Sequence, residues 1–115
     1  MEKNLLQLIE EMHYSCLSGK MLPDRIVRSA YVSDLLSDVM GKAQPGMVWI
    51  TSQVHKNIVA VASLKELSAV IVVNERHVDP EVLEHAEAEE VVILTSGLPA
   101  FETAGRLYQK LNEME

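Results

Sequence analysis

Apolar residues along this chain gather into short runs with two different periods. Met47-Val-Trp-Ile-Thr51, Ala69-Val-Ile-Val-Val-Asn74 and Val91-Val-Ile-Leu94 are mostly β-branched and bounded by turn residues. Such runs read as buried strands. Between the first two, Val54, Ile58, Val61 and Ala62 recur at helical spacing, which predicts a helix over residues 54–64. Strand, helix and strand in that order make a βαβ unit, whose strands are parallel and whose crossover is right-handed. Segments 48–51, 70–73 and 91–94 are therefore expected side by side and parallel in one sheet.

The remaining pattern supplies the surrounding elements. Leu5, Leu6, Leu8, Ile9 and Met12 predict a short amphipathic helix, followed by a strand over residues 13–17 that ends at the turn Ser18-Gly19. Residues 21–24 read as loop. Residues 25–32 alternate imperfectly, as an edge strand does. Ser33 suits a helix N-cap and Asp34 its positive end; Leu35, Leu36, Val39 and Met40 continue that helix and Gly41 can stop it. Gln44-Pro45-Gly46 is a turn. Asp79 and Pro80 open a further helix with Val82, Leu83 and Ala86 inward. Pro99 starts the last one, with Phe101, Ala104, Leu107, Tyr108 and Leu111 expected to face inward. No repeat, low-complexity tract or linker interrupts the pattern, so residues 1–115 read as one domain.

The three strands end alike, at Thr51, at Asn74 and at Thr95-Ser96, each just before a helix or the approach to one. Parallel strands put these ends on one edge, where open α/β sheets bind ligands and where helix N-terminal amides favour anions. The polarity of the helix after Thr51 is confined to its beginning, Ser52, Gln53, His55, Lys56 and Asn57. The candidate ligand-binding residues are therefore Thr51, Ser52, Gln53, His55, Asn57, Asn74, Thr95 and Ser96. Residues of these types also cap helices and close turns without any ligand. Side chains two apart on a helix diverge by about 200°. Gln53, His55 and Asn57 can serve one site only if the turn at 51–53 is non-helical. His55 is then the residue expected at the crevice, with Thr51 and Ser96 across the edge from it.

Composition narrows the function classes. The chain has 115 residues, 48% of them hydrophobic, which suits one packed domain. With 10 Lys plus Arg against 17 Asp plus Glu, its net charge of −7 opposes nonspecific binding to nucleic acid or anionic membranes. A single cysteine, Cys16, allows no internal disulfide and suits a reducing compartment. The first residues lack a signal-peptide core and no apolar run is long enough to span a bilayer, so a cytoplasmic location is expected.

Other chemistry finds little support. Asp34 and Asp38 are four apart, as on one exposed helix face. His13 and Cys16 have ligand-like spacing but no second pair completes a metal site. His77 and His85 flank an acidic helix and read as surface residues, and Cys16 as a buried, inert thiol. No phosphate-binding glycine loop and no Gly-x-Ser-x-Gly is present, so no cofactor or metal is expected.

Four ordered blocks carry a family resemblance: Tyr31-Val-Ser-Asp-Leu-Leu-Ser37, Trp49-Ile-Thr-Ser-Gln-Val-His-Lys-Asn-Ile-Val-Ala-Val-Ala62, Ala69-Val-Ile-Val-Val-Asn74 and Leu94-Thr-Ser-Gly-Leu-Pro-Ala-Phe-Glu-Thr-Ala104. Together they resemble the DRTGG domain. That family is similar to the amino-terminal domain of HPr kinase/phosphorylase and occurs beside CBS domains in some pyrophosphatases and in some phosphotransacetylases. The resemblance implies a three-layer α/β/α sandwich with a small, mostly parallel mixed sheet. It also implies a regulatory or oligomerising role without catalysis by the domain itself. Two departures stand out: Ser52-Gln53-Val54-His55 replaces a Gly-Asp-Arg-like turn, and Ala100 stands where a Thr is common. Stand-alone versions with a Gln-x-His-x-Asn pattern resemble proteins encoded near iron-hydrogenase genes, a redox-linked setting, although one Cys cannot supply four cluster thiolates.

The expected function is a stand-alone regulatory domain that binds a small anionic metabolite or nucleotide at the strand-end crevice. Because the 54–64 helix is apolar nearly all round, it needs cover on several sides, and a homodimer is expected to provide it. A small enzyme using His55 as acid or base, and a ligand-free scaffold, are the alternatives.

Overall fold

A computed structural model describes residues 2–20 and 25–113. The predicted loop at 21–24 lies outside the described residues. Five strands form the main sheet: β2 (Ser15–Ser18), β4 (Ser29–Val32), β5 (Met47–Thr51), β6 (Ala69–Val72) and β7 (Ile93–Thr95). Their order is β2-β7-β6-β5-β4, with β4 at one edge. Neighbours from β4 to β7 run parallel, in registers such as Ile50↔Ile71 and Ile71↔Leu94. β2 runs antiparallel on β7, with a register shift between Cys16 and Ser18. The sheet is thus mixed and mostly parallel, as expected.

Alternation along the central strands builds two cores at once. Trp49, Val70, Val72 and Ile93 face α2 (Leu36–Lys42), α3 (Asn57–Leu64) and α4 (Pro80–Ala88). Val48, Ile50, Ile71 and Leu94 face α1 (Leu5–Glu11) and α5 (Ala100–Leu111). Strands covered on both faces have no polar side to show, which explains their continuous apolar runs. The result is a three-layer α/β/α sandwich. A small antiparallel pair, β1 (Lys3–Asn4) on β3 (Ile26–Val27), adds to the α1 side.

Several elements depart from the sequence expectation. Residues 25–32 divide into β3 and β4, and Arg28 between them donates its N–H to the Gly46 carbonyl at 2.9 Å. Ser33 is not the N-cap of α2; Leu35 holds that position, and the Ser33 hydroxyl accepts the Leu35 N–H at 3.1 Å. Gly41 does not stop α2, which continues to Lys42. Asp34 precedes the helix and does not share a face with Asp38. In α5 the buried stripe is Thr103, Leu107 and Leu111, while Phe101 is 86% and Tyr108 72% exposed. Steps of four keep Thr103, Leu107 and Leu111 on one helix face, whereas Phe101 lies well off it. Cys16 is half-buried, its thiol donating to the Ser18 carbonyl at 3.2 Å, and burial raises its pKa.

The apolar helix finds its cover within the chain. α3 packs on β6 between α2 and α4, and Ile58, Val59, Val61 and Ala62 are buried there. Ile58, Val59 and Val61 each contribute about 1.5–3 kcal/mol by leaving water, and the Ala62 methyl less. No helix among the described residues is long and apolar enough to cross a membrane.

Candidate functional site

Parallel pairing collects the carboxyl ends of β4, β5, β6 and β7 on one edge. The polar ends foreseen at β5, β6 and β7 are joined by a fourth, Ser33-Asp34 after β4. Asp34 organises the β5 end. Its carboxylate accepts the Thr51 hydroxyl at 2.7 Å, the Ser52 N–H at 2.8 Å and the Ser52 hydroxyl at 2.9 Å. Bonding to the Ser52 N–H, then to the Thr51 hydroxyl, lowers the Asp34 pKa. Gln53 donates its side-chain amide to the Asp34 carbonyl at 2.9 Å and its N–H to the Thr51 hydroxyl at 3.1 Å. From the β6–α4 loop, Arg76 donates to the Ser52 carbonyl at 2.8 Å. Thr51, Ser52 and Gln53 are therefore brought together, in a non-helical turn gripped from β4.

His55 and Asn57 sit at the start of α3, both exposed. The His55 Nδ1 accepts the Asn57 N–H at 3.1 Å, and its carbonyl accepts the Ile58 N–H at 3.0 Å. His55 thus performs the work of a helix N-cap, though Lys56 is formally the capping position. Neither His55 nor Ser96 reaches across to the other. Ser96 is buried on the opposite face of the sheet, its hydroxyl 2.9 Å from that of Thr103 in α5 and accepting the Leu98 N–H at 3.2 Å.

Asn74 and Glu75 both adopt left-handed backbone, φ 64° and 54°. Asn tolerates that region; Glu holds it at a cost of roughly 1–2 kcal/mol. The loop is tied to the β7–α5 connection by the Asn74 N–H on the Leu98 carbonyl, 3.0 Å, and the Glu75 N–H on the Ser96 carbonyl, 3.3 Å. Beside it opens a cavity of about 620 Å³ lined by His13, Ser15, Arg76, His77, Thr95 and Gly97, among others. Of the eight sequence candidates, Thr95 and Ser96 border this cavity. Trp49 closes the far side of the Asp34 turn, donating its indole N–H to the Ser33 carbonyl at 2.7 Å.

Sequence reasoning passed over Asp34 and Arg76 as parts of this edge. The available signal was the edge strand before Ser33: once that strand is placed parallel beside β5, its polar end belongs with the other three. Among the described residues no three His, Cys, Asp or Glu side chains group as a metal site.

Comparison with known proteins adds the family. The DRTGG domain model matches residues 7–110. Among solved structures, the CBS and DRTGG domains of the regulatory region of Clostridium perfringens pyrophosphatase, complexed with the activator diadenosine tetraphosphate, superpose with a TM-score of 0.69. The match is 17% identical and covers 93% of this chain and 46% of that one, so this chain spans under half of the pyrophosphatase region. At that identity the likeness shows the fold. No curated protein sequence matches.

Proposed function

Because the chain belongs to the DRTGG domain family, we propose that it is a regulatory module sensing a small anionic metabolite or nucleotide at the strand-end edge of its sheet. One observation carries this reading: the edge combines a cavity of about 620 Å³ with a strained, non-glycine loop and the guanidinium of Arg76. Cavities of this size suit small ligands, and backbone strain held at a cleft is common in binding loops. Thr95 supplies a hydroxyl to the cavity, Asn74 shapes its loop, and the Asp34-held turn at Thr51–Gln53 positions Arg76 through the Ser52 carbonyl. His55 and Asn57 extend the polar edge along the start of α3. Regulation in this reading includes self-association, which would cover exposed apolar side chains such as Phe101, Tyr108 and Leu35.

The test is a thermal-shift screen of nucleotides, diadenosine tetraphosphate among them, and phosphorylated metabolites, because a ligand selective for the native state raises its stability. A positive ligand is expected to lose its effect on Thr95→Val or Arg76→Gln while both variants still fold. A screen with no stabilising ligand counts against the sensing reading. A monomer by light scattering at high micromolar concentration, with and without ligand, counts against self-association.

A further inference from the structure

The open side of the main sheet has features that the ligand reading leaves unused. β4 pairs with β5, and among the described residues no strand lies on its other side. The ladder decides which of its backbone groups face that side. β6 takes the odd-numbered residues of β5, as the Val73 N–H on the Thr51 carbonyl at 3.0 Å shows. β5 therefore offers its even-numbered residues to β4, as the Ser33 N–H on the Ile50 carbonyl at 3.2 Å shows. Alternation then directs the N–H and C=O groups of Ser29 and Tyr31 toward β5 and those of Ala30 and Val32 away from it. Outward backbone groups are a template for a further strand, and proteins blunt such edges with Pro, Lys or a bulge. Ser29-Ala-Tyr-Val32 carries none of these.

Both helical layers leave apolar surface beside this strand. Val32 is 50% exposed in β4 itself, and Leu35, at the start of α2, is 64% exposed. On the α5 side a groove of about 320 Å³ opens against the strand, lined by Arg28, Ala30, Val32, Ile50, Tyr108 and Leu111, among others. The two ends of the strand carry opposite charges. Arg28 precedes it, in a solvent-exposed ion pair with Glu2 at 3.3 Å. Asp34 follows it as an exposed carboxylate.

We infer that β4 pairs antiparallel with β4 of a second copy of this chain, joining two five-stranded sheets into one across a two-fold axis at Tyr31. The inference rests on the self-association included in the proposed function and names the surface that carries it. The available groups fix the register. Ala30 stands opposite Val32 of the second copy and exchanges two hydrogen bonds with it, and symmetry repeats the pair. A shift toward Arg28 calls on an N–H already donated to the Gly46 carbonyl at 2.9 Å. A shift toward Asp34 calls on a carbonyl already accepting the Gln53 side-chain amide at 2.9 Å. The chosen register also sets Arg28 opposite Asp34 of the second copy, so opposite charges meet at both ends of the seam. Such an isologous contact closes after two copies.

Sedimentation equilibrium of the full chain, from low to high micromolar concentration, gives the stoichiometry, and amide hydrogen exchange locates the contact. A dimer is expected. Its Ala30 and Val32 N–H groups should be protected and should exchange freely on dilution to the monomer, while the Ser33 N–H, bonded to Ile50, stays protected in both. Arg28→Glu sets like charges opposite each other at both ends and should weaken the dimer by about tenfold or more, Arg28→Lys by less. Val32→Pro removes an outward N–H and no bond to β5, so it should give a folded monomer with the Ser33 N–H still protected. If that variant fails to fold, exchange in the parent chain and the Arg28→Glu dissociation constant decide. A monomer at every concentration overturns the inference together with the self-association. A dimer whose Ala30 and Val32 amides exchange freely, or whose dissociation constant is unmoved by Arg28→Glu, overturns the inference alone and puts the contact on another face.

Discussion

Two ends of the same sheet edge treat the same residue types in opposite ways. At the β5 end a carboxylate from the neighbouring strand collects two hydroxyls and an N–H, and an arginine holds the turn from the other side. At the β7 end Ser96 pairs with Thr103, neutral with neutral, and the nearby Tyr14 hydroxyl has no partner among the described residues. Both ends announce themselves in sequence by Thr-Ser after an apolar run. The difference comes from what the adjacent strand and helix bring: a carboxylate that saturates the hydroxyls of the first end, and a neutral hydroxyl from α5 that meets Ser96 at the second. A saturated end is suited to hold shape.

Breaking the β5 end should have the largest effect. Asp34→Ala leaves the Thr51 hydroxyl and both Ser52 donors without their acceptor and is expected to lower stability by about 2 kcal/mol, allowing for the solvent contact of the carboxylate. Urea denaturation checks it; a change near zero would mean the turn holds without its anchor. The same group predicts an acid dependence. Its pKa is depressed in the folded state by the Ser52 N–H and the Thr51 hydroxyl. The stabilisation is therefore complete above the ordinary carboxylate range and fades as pH falls below about 4, through the folded-state value. Denaturation from pH 5 to pH 2 should show the gap between the parent protein and Asp34→Asn shrinking toward the acid end.

The β7 end should respond less. Ser96→Ala removes one partner of a buried hydroxyl pair and is expected to cost about 1 kcal/mol, while the Thr103 hydroxyl keeps the Leu98 carbonyl at 3.4 Å as an acceptor, so adding Thr103→Val should change stability by less than the two single losses summed. A strictly additive double-variant cycle would show that the pair is not coupled. His55→Ala should cost about 0.5–1 kcal/mol through loss of the Asn57 contact, and His55→Asn, with a shorter acceptor, less than that. Smallest of all, Phe101→Ser should stay within about 0.5 kcal/mol in the isolated chain, since the ring is 86% exposed. A larger loss that grows with protein concentration would place Phe101 in a contact between copies.

By itself the amino-acid order determined the sheet, because the runs at 48–51, 70–73 and 91–94 are apolar on both faces and only a parallel strand between two helical layers hides both. It also marked the polar ends of three strands and the non-helical turn after Thr51. Tertiary structure alone decided the fates of those ends. Asp34 lies 17 residues from Thr51 along the chain, and no local pattern reports a contact made by laying β4 beside β5. Ser96 and Thr95 are adjacent in sequence, yet strand alternation sends one to α5 and leaves the other facing the α4 side. The reversal of Phe101 and Tyr108 in α5 has the same origin: hydrophobicity says a side chain favours burial, but the angle at which a helix meets its sheet selects the stripe that achieves it. Tyr14 is the plainest case. Its burial is ordinary for an aromatic in sequence terms, and only the packed fold shows that its hydroxyl has been taken from water without a partner among the described residues.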